Sequence, residues 1–267
     1  MSRIAVLGPP GTYSEEAARS CWPDSRDFMF ASDISEVFAM VVKGQADEGL
    51  VPIFNSCSGS IGKTMRGLIN HDVYITGQLI LPVRHCLMAR EPLRIEEIEV
   101  IISQPEALLQ CENYMTQQVR GARKEIVLST GQAAVFVKQE KRKAAAIGSR
   151  NAAGFYGLQI IAEGLEDDKE NCTTFINIKR EHLTKGNKIT VLFGVKDSPG
   201  TLYQALETFA RRGINLTKLE SRPGGFPAGG YIFYVDIEGG AGEPEINEAL
   251  QELSGQAAFF KYLGSYS

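Results

Sequence analysis

Through the first two thirds of the chain, short apolar runs alternate with segments of helical periodicity, and the rhythm changes in the last third. Residues 4–7 read as a strand. A helix is expected from Ser14, where a hydroxyl residue followed by Glu15 and Glu16 supplies an N-cap and an acidic first turn. The apolar runs at 51–53 and 73–82 continue an α/β alternation. A second cycle runs through 100–103, a helix beginning near Pro105, a strand at 126–129 and a helix after Gly131. The all-apolar Ala144-Ala145-Ala146-Ile147-Gly148 then predicts a buried strand with close backbone approach, and 159–162 a further strand. Two α/β lobes joined by crossing strands leave a cleft between them, the usual place for a small-molecule site.

A polar stretch at 181–188, with Gly186 and Asn187, reads as a linker. Beyond it the pattern predicts a strand at 189–195, a helix at 201–212 and a strand at 214–221. A glycine-rich turn at 224–230, a strand at 231–238, a helix at 245–253 and a strand at 259–263 follow. That order is βαββαβ, the ferredoxin-like arrangement. The domain boundaries expected are 1–184, with a second lobe at roughly 80–160, and 188–267.

Composition narrows the function more than the fold. The 267 residues are 43% hydrophobic and 22% charged, with a formal charge of -4. There is no basic field to attract nucleic acid, so an anionic ligand must be met by local donors. The five cysteines, Cys21, Cys57, Cys86, Cys111 and Cys172, have neither CxxC spacing nor a neighbouring histidine at metal-ligand spacing, and read as reduced, buried thiols without a metal. No apolar run approaches about 18 residues and the N-terminal segment has no signal-peptide core, which points to a cytoplasmic protein with no membrane partner.

Three segments carry the chemistry: Gly8-Pro9-Pro10-Gly11-Thr12-Tyr13-Ser14, Val51-Pro52-Ile53-Phe54-Asn55-Ser56, and Glu170-Asn171-Cys172-Thr173-Thr174-Phe175-Ile176. Together and in this order they resemble the prephenate dehydratase family. The resemblance implies a two-lobed, periplasmic-binding-protein-like catalytic domain, a decarboxylative dehydration of prephenate to phenylpyruvate in phenylalanine biosynthesis, and no cofactor or metal. Asp197-Ser198-Pro199-Gly200-Thr201-Leu202 with Glu220-Ser221-Arg222-Pro223 resembles the ACT domain attached to such enzymes. That implies a homo-oligomer, dimer or tetramer, with phenylalanine as effector. The effector contacts implied are Gly200, Thr201, Leu202, Glu220, Ser221, Arg222 and Pro223. Glu220 and Arg222 can equally be an ion pair on an exposed strand.

By the same resemblance Thr173 is the catalytic donor, giving a positioned hydrogen bond to the departing ring hydroxyl. A β-branched residue suited to a strand is the plainer reading of Thr173 alone. The implied substrate contacts are Asn55, Ser56, Gly59, Thr12, Ser14, Thr174, Asn171 and Gln104. Three positions depart from the family pattern: Phe54 stands where Glu is usual, Gln104 where His is frequent, and Thr174 where Arg is usual. A neutral hydroxyl cannot replace a guanidinium fork on a carboxylate. Two other readings stay open for these reasons, a non-aromatising prephenate decarboxylase-like enzyme and a non-catalytic amino-acid-binding regulatory protein. Ser129 and Thr130 serve either as substrate contacts or as helix caps, His85 reads as structural, and His71 and His182 as surface residues.

Overall fold

A computed structural model describes residues 2–25, 27–183, 185–223 and 230–267. They divide into two compact units, the residues up to Met65 with Leu79–Phe175, and Arg66–Gln78 with Ile176–Ser267.

In the first sheet Ile4–Leu7 runs parallel to Phe28–Ala31 on one side and to Glu48–Asn55 on the other. Cys172–Lys179 and Tyr74–Pro82 complete the order, and the short Gly59–Ser60 folds back on Glu48–Asn55. A parallel strand in mid-sheet is covered on both faces, which explains why Ile4, Ala5 and Val6 are continuous in sequence and all buried. Helices Tyr13–Cys21 and Ile34–Val42 connect the strands. Asp33 caps the second by accepting the Ser35 amide at 2.8 Å.

The second sheet has the order Gln159–Glu163, Cys86–Ala89, Ala144–Gly148, Val100–Ser103, Arg123–Ile126. Its last three strands are mutually parallel and the first two antiparallel to their neighbours. Ala144–Gly148 is buried throughout, under helices Thr130–Gln139 and Arg150–Tyr156. The chain passes to this lobe after Tyr74–Pro82 and returns through Cys172–Lys179.

The C-terminal sheet has the order Leu216–Pro223, Tyr231–Glu238, Lys188–Val195, Phe259–Tyr266, with helices Thr201–Ala210 and Pro244–Gln256. This is the ferredoxin-like order. Ile189, Val191, Phe193, Val235 and Ile237 form its core with Phe209 and Leu253. The alternate residues carry a buried polar network, in which Thr190 donates to Asp236 at 2.6 Å and lies 2.7 Å from the Tyr266 hydroxyl. Residues 66–78 join this unit. The Lys261 ammonium donates to the carbonyls of Leu68 at 2.9 Å and His71 at 2.5 Å, and Lys188 reaches Gln78 at 3.0 Å. Gly264, at φ 135°, has the Ile75 carbonyl where a Cβ would be, 2.3 Å away.

Several expectations are corrected. The helix expected from Ser14 starts at Tyr13, its N-cap is Thr12, and the Thr12 hydroxyl donates to the Leu7 carbonyl at 3.3 Å instead of capping. The strand placed at 126–129 is Arg123–Ile126, because Ser129 is taken as the cap of the next helix, accepting from the Gln132 amide at 3.1 Å. Cys86 and Cys111 are buried, but Cys21 and Cys57 are exposed and Cys172 is half-buried; all five are free thiols. His71 is half-buried. The turn expected over 224–229 lies outside the described residues. Among the described residues no helix is long and apolar enough to cross a membrane.

Candidate active site

The parallel strands Ile4–Leu7 and Glu48–Asn55 end at the same edge of the first sheet, so the Gly8–Thr12 turn and the Asn55–Gly59 hairpin emerge together. Open α/β sheets bind ligands at that edge. The hairpin meets the start of Cys172–Lys179. The Ser56 amide donates to the Cys172 carbonyl at 2.9 Å, and the Cys172 amide donates to the Ser56 hydroxyl at 3.0 Å.

Asn55 holds this junction together. Its side-chain carbonyl accepts the amides of Cys57 at 3.0 Å and Ser58 at 2.9 Å, which fixes the tight turn. Its amide nitrogen faces the Asn171 side-chain oxygen at 2.8 Å, the Cys172 carbonyl at 3.0 Å and the Thr173 hydroxyl at 3.0 Å. With donors on one side and acceptors on the other, the orientation of this amide is unambiguous. Asn55, expected to contact substrate, spends both donors on the protein itself.

Two consequences follow for its neighbours. Because the Thr173 oxygen accepts from Asn55, its own O–H proton is directed elsewhere. Asn171 is 1% exposed, and its amide nitrogen has no hydrogen-bond partner among the described residues. A buried donor left unmatched costs about 1–3 kcal/mol, so a ligand acceptor there would recover a real cost. Ser56 is exposed beside them, and Gly59, at φ 78°, is paired with Asn55 across the hairpin with open space where a Cβ would point.

The remaining sequence-predicted contacts lie outside this hydrogen-bonded cluster among the described residues. Thr12 and Ser14 are buried in the opening segment, which is fastened to the second lobe. Ser149 donates to the Gly11 carbonyl at 2.7 Å and Tyr156 to the Pro10 carbonyl at 2.8 Å. Gly11, at φ 85°, has Ala152 Cα 2.9 Å from where a Cβ would stand, so a side chain is excluded twice over. Gln104 is the half-buried N-cap of Pro105–Gln110 and makes no side-chain capping bond. Thr174 is half-buried, and strand alternation turns it to the face of Ile176 while Thr173 shares that of Phe175.

His85 is buried between the Tyr13 hydroxyl at 3.0 Å from Nδ1 and Gln110 Oε1 at 3.0 Å from Nε2, and burial pushes its pKa down. Tyr13, whose hydroxyl also donates to the Arg84 carbonyl at 2.8 Å, is held well above the usual phenol range by burial. Its membership of this network was not legible, because its partners lie more than 70 residues away in the chain. The buried Glu15 was more accessible to reading: it pairs with Arg19 one helical turn on, at 2.5 Å, and accepts the Gly11 amide at 2.6 Å.

In the C-terminal unit Gly200 takes φ 86° and precedes the helix, while the Thr201 hydroxyl donates to the carbonyls of Lys196 at 2.8 Å and Ser198 at 2.9 Å. Leu202 packs at the margin of the core. Glu220 and Arg222 pair at 3.1 Å on the sheet face of Tyr234, whereas Ser221 and Pro223 are exposed. Pro223 stands opposite Tyr231, which stands opposite Val195, so both motifs finish at one end of the sheet.

Comparison with known proteins identifies the family. Residues 4–183 match the family model for prephenate dehydratase and residues 189–255 that for the ACT domain. The chain is 37% identical over 278 residues to arogenate dehydratase/prephenate dehydratase 2 of Arabidopsis thaliana, covering 99% of this chain and 72% of the relative. It is 38% identical over 267 residues to the bifunctional chorismate mutase/prephenate dehydratase of Aquifex aeolicus, covering 99% and 73%. The structure of prephenate dehydratase from Arthrobacter aurescens in complex with L-Phe superposes with a TM-score of 0.93 at 28% identity, covering 99% of this chain and 90% of that one. With both models matched and relatives of this identity aligned along nearly its whole length, the chain belongs to the prephenate dehydratase family and carries that family's ACT domain.

Proposed function

We infer that this protein is a prephenate dehydratase, a carbon–oxygen lyase that converts prephenate to phenylpyruvate, carbon dioxide and water. The observation that carries the reading at the residue level is the Asn55 clasp, which occupies the Thr173 oxygen from one side and leaves its proton to be given. In the reaction the bond between ring and carboxylate breaks and releases carbon dioxide, its electron pair enters the ring, and the opposite carbon–oxygen bond breaks as the hydroxyl leaves, becoming water with a proton supplied by solvent. Thr173 donates a hydrogen bond to that oxygen as charge builds on it, and Asn171 supplies a second, otherwise unspent donor. Ser56 and the amides of the Asn55–Gly59 hairpin are suited to a substrate carboxylate. Aromatisation supplies the driving force, so positioning and hydrogen bonding suffice from the protein.

Phenylalanine acts as effector through the C-terminal unit, a reading supported by the ACT match and by the L-Phe complex of the Arthrobacter aurescens relative. Gly200 to Leu202 and Glu220 to Pro223 are its proposed contacts, in a homo-oligomer. The test is purified protein with prephenate at neutral pH, product identified by mass spectrometry against the spontaneous reaction, with and without phenylalanine. Arogenate is the comparison substrate, because the Arabidopsis thaliana relative is named for both. Phenylpyruvate above background is expected; no product, or a non-aromatic decarboxylated one, overturns the assignment.

A further inference from the structure

Asn171 and Thr173 stand where a strap, residues 164–171, leads from the second lobe into Cys172–Lys179. Its burial is uneven. Leu165, Glu166 and Asn171 are buried, whereas residues 167–170 between them are exposed. The buried residues are the ones bonded to the segment Val83–His85, where the chain makes its other crossing. The Leu165 amide donates to the His85 carbonyl at 3.2 Å, and the His85 amide donates to the Glu166 carboxylate at 2.9 Å. At the far end of the strap the Val83 amide donates to the Asn171 carbonyl at 2.9 Å. One short segment therefore sets both ends. Between them the Asp167 amide donates to the Gln110 carbonyl at 2.7 Å and the Asn171 amide to the Asp168 carbonyl at 3.3 Å, which leaves the strap little slack.

Glu166 is the unusual member of this set. Its side chain is 1% exposed, with Lys169 at 3.5 Å and Arg84 at 3.8 Å from Oε1. Burying a carboxylate carries a desolvation penalty, and an apolar residue of similar volume would fill the place as well or better. What an apolar residue cannot do is accept the His85 amide. The carboxylate is satisfied only when residue 166 faces His85, so it fixes the position of the strap where leucine would fix only its burial. That position matters at Asn171. Its side chain is oriented by the Asn55 amide at 2.8 Å, and its own amide nitrogen is buried beside Thr173 with no partner among the described residues.

We propose that Glu166 is a positioning residue of the dehydration: it meets no substrate, and acts through Asn171 by pinning the strap so that the free Asn171 donor stays within reach of the departing hydroxyl. This rests on the dehydratase reading and adds to it a residue one step removed from the chemistry. A misplacement of about 1 Å in a group that acts in the transition state costs on the order of 10²-fold, so a tie at this remove is readable in kcat.

The test is a double-mutant cycle on the full chain, Glu166→Met with Asn171→Ala, read as steady-state kcat and KM for prephenate. Methionine fills the volume of glutamate and removes the acceptor. In the wild-type background it is expected to lower kcat about tenfold with KM changed by less than about twofold, because the disturbed contact forms in the transition state. In the Asn171→Ala background the same substitution should change kcat by less than about twofold, since the group it positions is already gone. Glu166→Gln keeps an oxygen for the His85 amide and should hold kcat within about threefold of wild type. If the methionine variant does not fold, Glu166→Ala, in which water can reach the His85 amide, carries the same cycle. A merely structural role lowers kcat equally in both backgrounds, or lowers only the yield of folded protein. Either result, or an unchanged kcat in folded Glu166→Met, overturns the proposal while prephenate turnover by wild type leaves the dehydratase reading standing. Absence of phenylpyruvate from wild type itself is the separate outcome that removes both.

Discussion

Thr173 and Thr174 are neighbours in sequence that project from opposite faces of one strand, and that separates two questions about the chemistry. Thr173→Ala removes the positioned donor and is expected to lower kcat by about 10²-fold or more, with Thr173→Ser retaining most activity. Steady-state kinetics of folded variants decide, and an unchanged kcat in the alanine variant removes Thr173 from the mechanism. Asn55→Asp is a sharper probe. It keeps the oxygen that accepts the Cys57 and Ser58 amides but puts a second oxygen against Asn171, Cys172 and Thr173. The Thr173 proton then turns toward the introduced carboxylate, and the loss of kcat should match that of Thr173→Ala. Thr174→Arg restores the family's cation, and kcat/KM for prephenate is expected to rise at least tenfold, the worth of a charge-assisted contact of about 1.5–3 kcal/mol. An unchanged kcat/KM in a variant that still binds prephenate shows that this chain meets the carboxylate by other groups.

At the scale of elements, the helix Gly62–Asn70 and the strand Tyr74–Pro82 depend on residues far along the chain. Lys261 is mostly buried and caps the carbonyls that the helix leaves open at its C-terminal end. Burial lowers its pKa, while Asp72 opposes that shift. Lys261→Met is expected to destabilise by about 1–3 kcal/mol, read as a lower urea midpoint with an unchanged slope. The same contact was illegible in sequence, where Lys261 is one cation in a short strand pattern. The elements themselves were largely legible, because buried parallel strands read as apolar runs and helices begin at hydroxyl or acidic caps. The two errors share one cause. At Ser14 and at 126–129 an apolar or hydroxyl residue fitted two neighbouring positions, and short-range hydrogen bonds chose between them: Thr12 turned to Leu7, and Ser129 was taken as a cap.

For the whole molecule, His85 gives a pH dependence with a definite sign. Burial depresses its folded-state pKa below the unfolded value of about 6.5, so the unfolded chain binds the extra proton first. The stability that His85 contributes is therefore complete above about pH 6.5 and is lost as pH falls toward the folded pKa. Melting temperatures across that window should fall more steeply for wild type than for His85→Gln, and parallel curves would remove His85 as the cause. The order of elements, the two-lobed α/β and ferredoxin-like plan and the family motifs were determined by the sequence alone, because periodicity, caps and glycine turns are local properties. Tertiary structure decided what those motifs do to one another. Asn55 and Asn171 are 116 residues apart and meet only when two strands share a sheet edge, so the freed Thr173 proton has no local signature. Residues 66–78 likewise join the C-terminal unit through Lys188, Lys261 and Gly264, all more than 100 residues further along the chain. Burial and partnership are properties of distance in space, and a chain that crosses twice between lobes makes them independent of distance in sequence.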